Sequence, residues 1–517
     1  MRKFFPISMG VIILLSGTIM SGCGPEPSMP EESAREIALP PKDLPRSSSG
    51  PGVIMAAGGG SEGNQGNTAS WSYKLYRELV LNGDVTGDGV VQVAILASST
   101  QSSFMVNYFQ WIGTTVGLTV VAKDYLVKTK ANANSAALVG GVANADVVFI
   151  KGGDQGVYYD QWNNTLLETN IRAVANRGGA IGGTSAGAMS LSEYCFCGSM
   201  DMISTDVLKD SHTRYLDDAS QPGTSGIHTD FLSFLGNLVI DSHFTERGRL
   251  GRTLGILARA TEDAGASDIL AIGIEARTGI VVRNSRALVI GTGEVSFIHQ
   301  SPTTVRIRDV GHPLVYTNLI MDRLTEGWSY DLGAHSIITS PLPAGVSPVT
   351  YAGNGAANAG ALTITGSTET DKNKFARVAA YNPSNYALKP TTAPVFVRNA
   401  IGFTDAGRTA NRDDKQETLF RALYDQPSFI GFLAFSGGTL TRTAAAPDEI
   451  SMGGTLASIV FDGKGISYRG LSPYPSNYAT SGGSLKAAAL TNLTVSVLAE
   501  STARNMRYNS LMHAIVP

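Results

Sequence analysis

Within IGGTSAGAMS, residues 181–190, one nucleophile candidate, Ser185, is enclosed by Gly182, Gly183, Thr184, Ala186, Gly187 and Ala188. GTSAG (183–187) fits G-x-S-x-G, and it follows a strand-like run and opens a helix-like one. A serine held at a strained strand-to-helix turn needs small neighbours, because bulky ones would collide as the backbone reverses. The same turn aims backbone N–H groups at a developing oxyanion, with the N–H of Ala186 as the natural donor. A glycine-rich packing turn produces the same letters, so the pattern gains meaning only from a partner. Serine is too weak an acid to attack without a base, and the best base is His243 in VIDSHFTERGRLGRTL (239–254). It ends an apolar strand-like run, stands beside Asp241, and precedes a helix-like stretch with Arg247, Arg249 and Arg252. Taken singly these are a hydrogen-bonded histidine and a solvated basic face; together they read as a base next to an anion-binding cluster.

The other chemistry-bearing residue types form no such constellation. The seven histidines are scattered and make neither HExxH nor HxH. Cys195 and Cys197, spaced as CFC, close too small a ring for an unstrained disulfide and are expected as free thiols or buried small side chains. With no second cysteine pair or histidine cluster nearby, no metal site is expected and no cofactor is called for. DVTGDG (84–89) begins like a calcium loop, but its twelfth position is Ile95 rather than an acid, so a plain turn is expected.

The elements that must position these residues alternate. GVIMAAGGG (52–60), VVQVAILASS (90–99), LTVVAK (118–123), ADVVFIKGG (145–153) and AIGGTS (180–185) are short apolar runs, most of which end in glycine-rich loops. Between them WSYKLYRELVL sets Trp71, Leu75 and Leu79 on one helical face, and TLLETNIRAVANRGG closes on glycines suited to a helix end. The expected fold class is α/β, a doubly wound parallel sheet with a nucleophile elbow, with ligands at the carboxyl ends of the strands, plus a β-rich C-terminal region. From about residue 265 successive strands are expected to extend that sheet, and a composition shift sets a boundary near residue 340. HPLVYTNLIMDRLTEG (312–327) is similar to AAALTNLTVSVLAES (487–501), so a repeated β unit and chance similarity both remain open.

A chain of 517 residues, 43% hydrophobic, has material for a large core and more than one domain. A net charge of −3 gives no bulk reason to expect nucleic acid. Arg2 and Lys3 precede VIILLSGTIM, an apolar run too short to span a bilayer and suited to a secretion signal. It ends in MSGC, which resembles the lipobox of bacterial lipoproteins with Cys23 as the lipidated residue. Residues 1–23 are therefore expected as a lipoprotein signal, 24–51 as a flexible tether, 52–340 as a catalytic domain and 341–517 as a C-terminal region of unassigned role. The expected location is outside the cytoplasm, lipid-anchored in the cell envelope or secreted.

GGGSEG, KGGDQ, GGTSAGA, DSHFTERGRLGR and LAIGIEARTGIVV, in that order over roughly residues 52–335, resemble the cyanophycinase family of serine peptidases. That family is related to aspartyl dipeptidase and has a fold similar to class I glutamine amidotransferases. The resemblance implies an enzyme that releases β-aspartyl-arginine dipeptides from cyanophycin, a poly-aspartate bearing arginine on each β-carboxyl. It implies Ser185 as nucleophile, His243 as general base, and an oxyanion hole from Ala186 N–H and a backbone N–H near Gly153. Asp154, Gln155, Asp241, Arg247, Arg249 and Arg252 fall at positions that line the substrate site. Two departures stand out: Ser242 replaces a family glutamine, and the acid that orients the histidine is displaced by one residue, leaving Glu275 followed by Ala276. On a strand such a shift turns a side chain to the opposite face. Cyanophycin hydrolysis, an aspartyl dipeptidase-like activity and a weakly active or inactive module binding Arg- or Asp-containing peptides thus all stay open, as does a homodimer.

Overall fold

The computed structural model describes residues 50–197, 202–217 and 226–339, and beyond these a series of separate strands and short pieces between 362 and 516. The expected signal, Cys23 and nearly all of the expected tether lie outside the described residues.

The apolar runs become β1 (Val53–Ala57), β2 (Val90–Ala97), β3 (Thr119–Leu126), β4 (Val147–Ile150) and β5 (Ala180–Thr184). They lie parallel in the order β1-β5-β4-β2-β3. Because side chains alternate across a strand, each strand feeds two cores. Val53, Met55, Val93, Ile95 and Phe149 pack against α1 (Trp71–Gly83) and α2 (Ser103–Val116), where Trp71, Leu75 and Leu79 are buried together. Ile54, Ala94, Leu96, Val148 and Ile181 join the opposite core. The short helices α3 (Lys130–Ala133) and α4 (Ala136–Val139) contribute to it, as do α5 (Gln155–Trp162) and α6 (Leu166–Asn176). Ser70, Ser102 and Thr165 cap their helices by accepting from the amides of Tyr73, Met105 and Glu168. DVTGDG is a turn in which Asp84 and Asp88 accept from the amides of Gly87 and Val90.

After β5 come α7 (Ala186–Met189), α8 (Ser204–Lys209), α9 (Arg214–Asp217), β6 (Leu238–Asp241), α10 (Leu250–Ala264) and β7 (Leu270–Ile274). Then follow β8 (Thr278–Arg283), β9 (Arg286–Gly291), β10 (Glu294–Ile307), β11 (Val315–Thr325), β12 (Ser329–Asp331) and β13 (Ser336–Ile338). The expectation that all these strands extend the first sheet is corrected. β8 joins β1 antiparallel and carries β9, β12 and β13 with it, whereas β6, β7, β10 and β11 form a second sheet. The chain changes sheet at Arg277 (φ 60°) and again at Gly291 (φ 136°). Periodicity identifies a strand, but which sheet it joins is decided by such bends.

The C-terminal region contributes β14 (Leu362–Thr365), β15 (Ala387–Pro390), β16 (Ala400–Ala406), β17 (Ile430–Phe435), β18 (Gly438–Thr443) and β19 (Ala446–Gly454). It ends with β20 (Ser458–Asp462), β21 (Ser467–Gly470), β22 (Ala488–Leu498), β23 (Arg507–Asn509) and β24 (Ala514–Val516). The expected boundary near 340 lies outside the described residues; beyond it, β22 pairs antiparallel with β11 in the middle of the second sheet. Tyr316, Leu319 and Met321 share one core with Ile459, Phe461, Leu493, Val495 and Val497. Apolar burial, the main driving force of folding, therefore joins strands from before and after that position.

Candidate active site

Ser185 stands between β5 and α7 with φ 54° and ψ −119°, a backbone conformation that L side chains rarely adopt. Local crowding explains the glycines around it: a Cβ on Gly183 would lie 2.4 Å from the carbonyl oxygen of Gly187, and one on Gly187 would lie 2.3 Å from that of Ile150. The loop that follows β1 gathers the remaining parts. The amide of Ser185 donates to Ala57 O at 2.8 Å, that of His243 to Gly58 O at 2.9 Å, and that of Arg277 to Gly59 O at 2.6 Å. Three distant segments are thereby fixed to one tripeptide. Gly59 itself has φ 93°, and a Cβ there would lie 2.4 Å from His243 Nε2, inside the gap between base and serine.

His243 Nε2 is 3.1 Å from Ser185 Oγ, and its Nδ1 is 2.8 Å from Glu246 Oε2. An imidazole nitrogen has one in-plane direction for a hydrogen bond, so the Nδ1 position is taken by Glu246. Burial holds the His243 pKa below the ordinary histidine value, and the Arg247 charge adds to this, while the hydrogen bond to Glu246 works against it. The ring is therefore neutral near pH 7, with Nδ1–H directed at the carboxylate and the Nε2 lone pair at the serine.

Glu275, the acid expected to orient the histidine, stands elsewhere. It is fully buried and accepts from Thr245 N at 3.2 Å to each carboxylate oxygen, and from Thr245 Oγ1. Thr245 lies between His243 and Glu246 in the chain, so Glu275 pins the turn from which both project. The sequence signal for Glu246 was its i, i+3 spacing from His243, which only a tight turn converts into contact.

The presumed substrate cluster also divides. Asp241 is wholly buried; Arg252 Nε donates to its Oδ2 at 2.9 Å and Arg252 Nη2 to its Oδ1, Arg249 Nη1 donates at 3.1 Å and Thr253 Oγ1 at 2.9 Å. Burial alone would raise the Asp241 pKa, but the guanidiniums of Arg252 and Arg249 overcome this and hold it below the usual carboxylate range. Ser242 is buried too, and its carbonyl accepts from Arg249 at 2.6 Å. Arg249 and Arg252 are thus both turned inward onto the one carboxylate of Asp241, whereas Arg247 is exposed. Gln155 is buried with its amide donating to Phe196 O at 3.1 Å, and Asp154 caps α5 by accepting from Gly156 N at 2.8 Å. Gly152 is the glycine against Ser185, its Cβ position 3.3 Å from Ser185 Cβ; the corresponding position on Gly153 is 2.5 Å from the Tyr158 hydroxyl.

Two further features were not expected. Cys195 and Cys197 form a disulfide with Cα atoms 5.3 Å apart, correcting the expectation of free thiols. The separation lies within the disulfide range, and backbone bonds of Cys195 to His228, 3.0 and 2.9 Å, hold the segment in place. Glu62, the acid of GGGSEG, accepts from Tyr76 Oη at 3.1 Å, and burial raises its pKa. It lies in the loop that carries Gly58 and Gly59, and the sequence reading did not single it out.

The molecule is thus a mixed α/β protein with a serine–histidine–glutamate chain of hydrogen bonds at the end of its parallel strands. Residues 124–216, which include Ser185, match Peptidase family S51. Over 217 residues the chain is 28% identical to the cyanophycinases of Synechococcus elongatus and of Thermosynechococcus vestitus (strain NIES-2133 / IAM M-273 / BP-1), covering 41% of this chain. The match spans 61% of the length of those curated relatives. The crystal structure of a peptidase from an acI-B1 Actinobacterium aligns with 55% of this chain and 98% of its own at 19% identity, with a TM-score of 0.36. The chain is thus similar, over these stretches, to peptidase family S51 and to cyanophycinases.

Proposed function

We propose that the protein is a serine-type peptidase that hydrolyses cyanophycin to β-Asp-Arg dipeptides through an acyl-enzyme on Ser185, and that it works outside the cytoplasm, lipid-anchored through Cys23. The observation that carries this reading is the Ser185–His243–Glu246 chain, at 3.1 and 2.8 Å, on a serine at positive φ. In the proposed reaction Ser185 sits on a nucleophile elbow, and His243 Nε2 takes the Oγ proton as Oγ attacks the scissile carbonyl. Glu246 then faces an imidazolium rather than a neutral ring, an interaction stronger in the transition state than in the ground state. The oxyanion is assigned to Ala186 N–H and a backbone N–H of the Gly152–Gly153 loop. His243 returns the proton to the leaving amine, and water hydrolyses the ester by the same route in reverse.

The substrate assignment rests on the cyanophycinase relatives and the five ordered motifs. Because Arg249 and Arg252 are buried against Asp241, Arg247 is the arginine of the cluster left to meet a substrate carboxylate. The Cys195–Cys197 disulfide supports export, since such bonds persist in oxidising compartments. The test is dipeptide release from insoluble cyanophycin by the purified protein, with Ser185→Ala beside it and β-aspartyl dipeptides as competing substrates. Release by the parent that is lost in Ser185→Ala supports the reading. Cleavage of dipeptides alone would replace cyanophycin by a dipeptidase activity, and binding without cleavage would reduce the protein to a peptide-binding module.

A further inference from the structure

β11 and β22, both 11-residue strands at the centre of the second sheet, carry the same tripeptide, Thr317–Asn318–Leu319 and Thr491–Asn492–Leu493. Their register is symmetric. Ile320 faces Thr494 at the centre; on either side Leu319 faces Val495 as Met321 faces Leu493, and Tyr316 faces Val497 as Arg323 faces Leu490. These five pairs exchange with one another under the one offset that carries Asn318 onto Asn492. Both asparagines have positive φ, 56° and 60°, and each lies at an irregularity in the ladder. The amide of Asn318 donates across the pair to Ser496 Oγ at 3.0 Å, and that of Asn492 to Asp322 Oδ1 at 2.8 Å; Asp322 and Ser496 are related by the same offset.

The symmetry extends to all strands around this axis. Reading outward from β11 come antiparallel β10, antiparallel β7 and parallel β6; reading outward from β22 come antiparallel β20, antiparallel β17 and parallel β16. β10 slips register between Gln300 and Val305, and the neighbour of β22 is divided at the same place into β20 and β21. The hairpin β8–β9 extends through β12 to β13, and β18–β19 extends through β23 to β24 in the same order. Chance similarity of β segments does not generate matching strand order, direction, register and bulges.

We infer that residues 400–516 are a second copy of the β unit at 238–338, and that it occupies, within one chain, the place of the second subunit of an isologous dimer. In such an interface residue i meets j as j meets i, which is the relation of β11 to β22. A lone first copy would end at β11, a long and largely apolar strand edge that invites pairing with another chain; the second copy closes it. The second copy does not duplicate the base, because residues 400–429, which follow the order of β6 to β7, contain no histidine. The chain is therefore a monomer in solution, and its β11 edge is closed to other copies.

The test uses the full chain in detergent with Ile320→Cys and Thr494→Cys together, two partly exposed residues that face each other at the axis. Oxidation is expected to link residues 320 and 494 within one chain, read by peptide mass spectrometry and by monomer mass on a non-reducing gel, with each single variant as control. Sedimentation of the unsubstituted chain is expected to give one-chain mass. A 320–494 link between two chains, or none, would overturn the inference, as would a dimer in sedimentation. Should the double variant fail to fold, hydrogen exchange of the unsubstituted chain decides: β11 amides are expected to be equally protected at all protein concentrations, and protection that fades on dilution would overturn it.

Discussion

Two polar clusters lie within a dozen residues of each other at the end of β6, and they are built oppositely. Around Asp241 each charge meets its counter-charge in full burial, with Arg252, Arg249 and Thr253 saturating one carboxylate. Around His243 both ring nitrogens are bonded but the ring is neutral: one is fixed by Glu246, while the other meets the serine hydroxyl proposed to give up its proton. Paired buried charges specify where a chain goes, and removing one partner is costly because the other is left uncompensated. A neutral imidazole bonded on one side to an acid and on the other to a serine is the group we propose to be poised. The difference separates scaffold from chemistry in a segment whose arginines and acids look alike in sequence.

The sharpest way to break the site half of this comparison is to fill the gap between the proposed base and nucleophile. Gly59→Ala would place a methyl group 2.4 Å from His243 Nε2, and misplacement by about 1 Å costs on the order of 10²-fold in rate. The expected outcome is a fall in kcat of at least about that size, checked on β-aspartyl peptide hydrolysis, with the fold retained by circular dichroism.

The scaffold half is broken by Asp241→Asn, which strands two buried guanidiniums. A loss of about 3–5 kcal/mol in stability is expected, measured by denaturant unfolding, with KM for substrate changed little at temperatures where the protein stays folded. A large rise in KM without a stability loss would return Asp241 to the substrate site.

A smaller effect appears with pH. Because the His243 pKa is lowered in the folded protein, the acid limb of the kcat/KM profile should lie below the ordinary histidine value of about 6.5. Loss of the Glu246 bond, which raises that pKa, should move the limb lower still. The unfolded chain takes up this proton first, so His243 costs stability as pH falls below about 6.5 and stops doing so below its folded pKa. Asp241 acts lower: its depressed pKa gives stability present above the unfolded value of about 3.9 and lost as pH falls through the folded one.

Much of this was legible in the sequence, for identifiable reasons. Alternating apolar runs announced the parallel strands, and small residues around Ser185 announced a turn with no room for side chains. Position along the chain did not reveal which sheet the strands after residue 265 would join, because Arg277 and Gly291 redirect the backbone. Glu246 was hidden because its contact with His243 comes from a turn three residues long, whereas Glu275 drew attention by standing one residue from the place the motif gives its acid. The disulfide was set aside on ring size, although the fold brings its Cα atoms to 5.3 Å. The TNL echo was visible, yet two copies of three letters acquire meaning only when register and bulges repeat with them.

The most direct measurement compares Glu246→Gln with Glu275→Gln in kcat/KM for β-aspartyl peptide hydrolysis, alongside the melting temperature of each. Glu246→Gln is expected to lower kcat/KM by about 10³–10⁴-fold, the usual cost of losing the acid behind a catalytic histidine, with little change in stability. Glu275→Gln is expected to act mainly on stability through the Thr245 turn. A loss of activity confined to Glu275→Gln at unchanged melting temperature, with Glu246→Gln fully active, would contradict the assignment of Glu246.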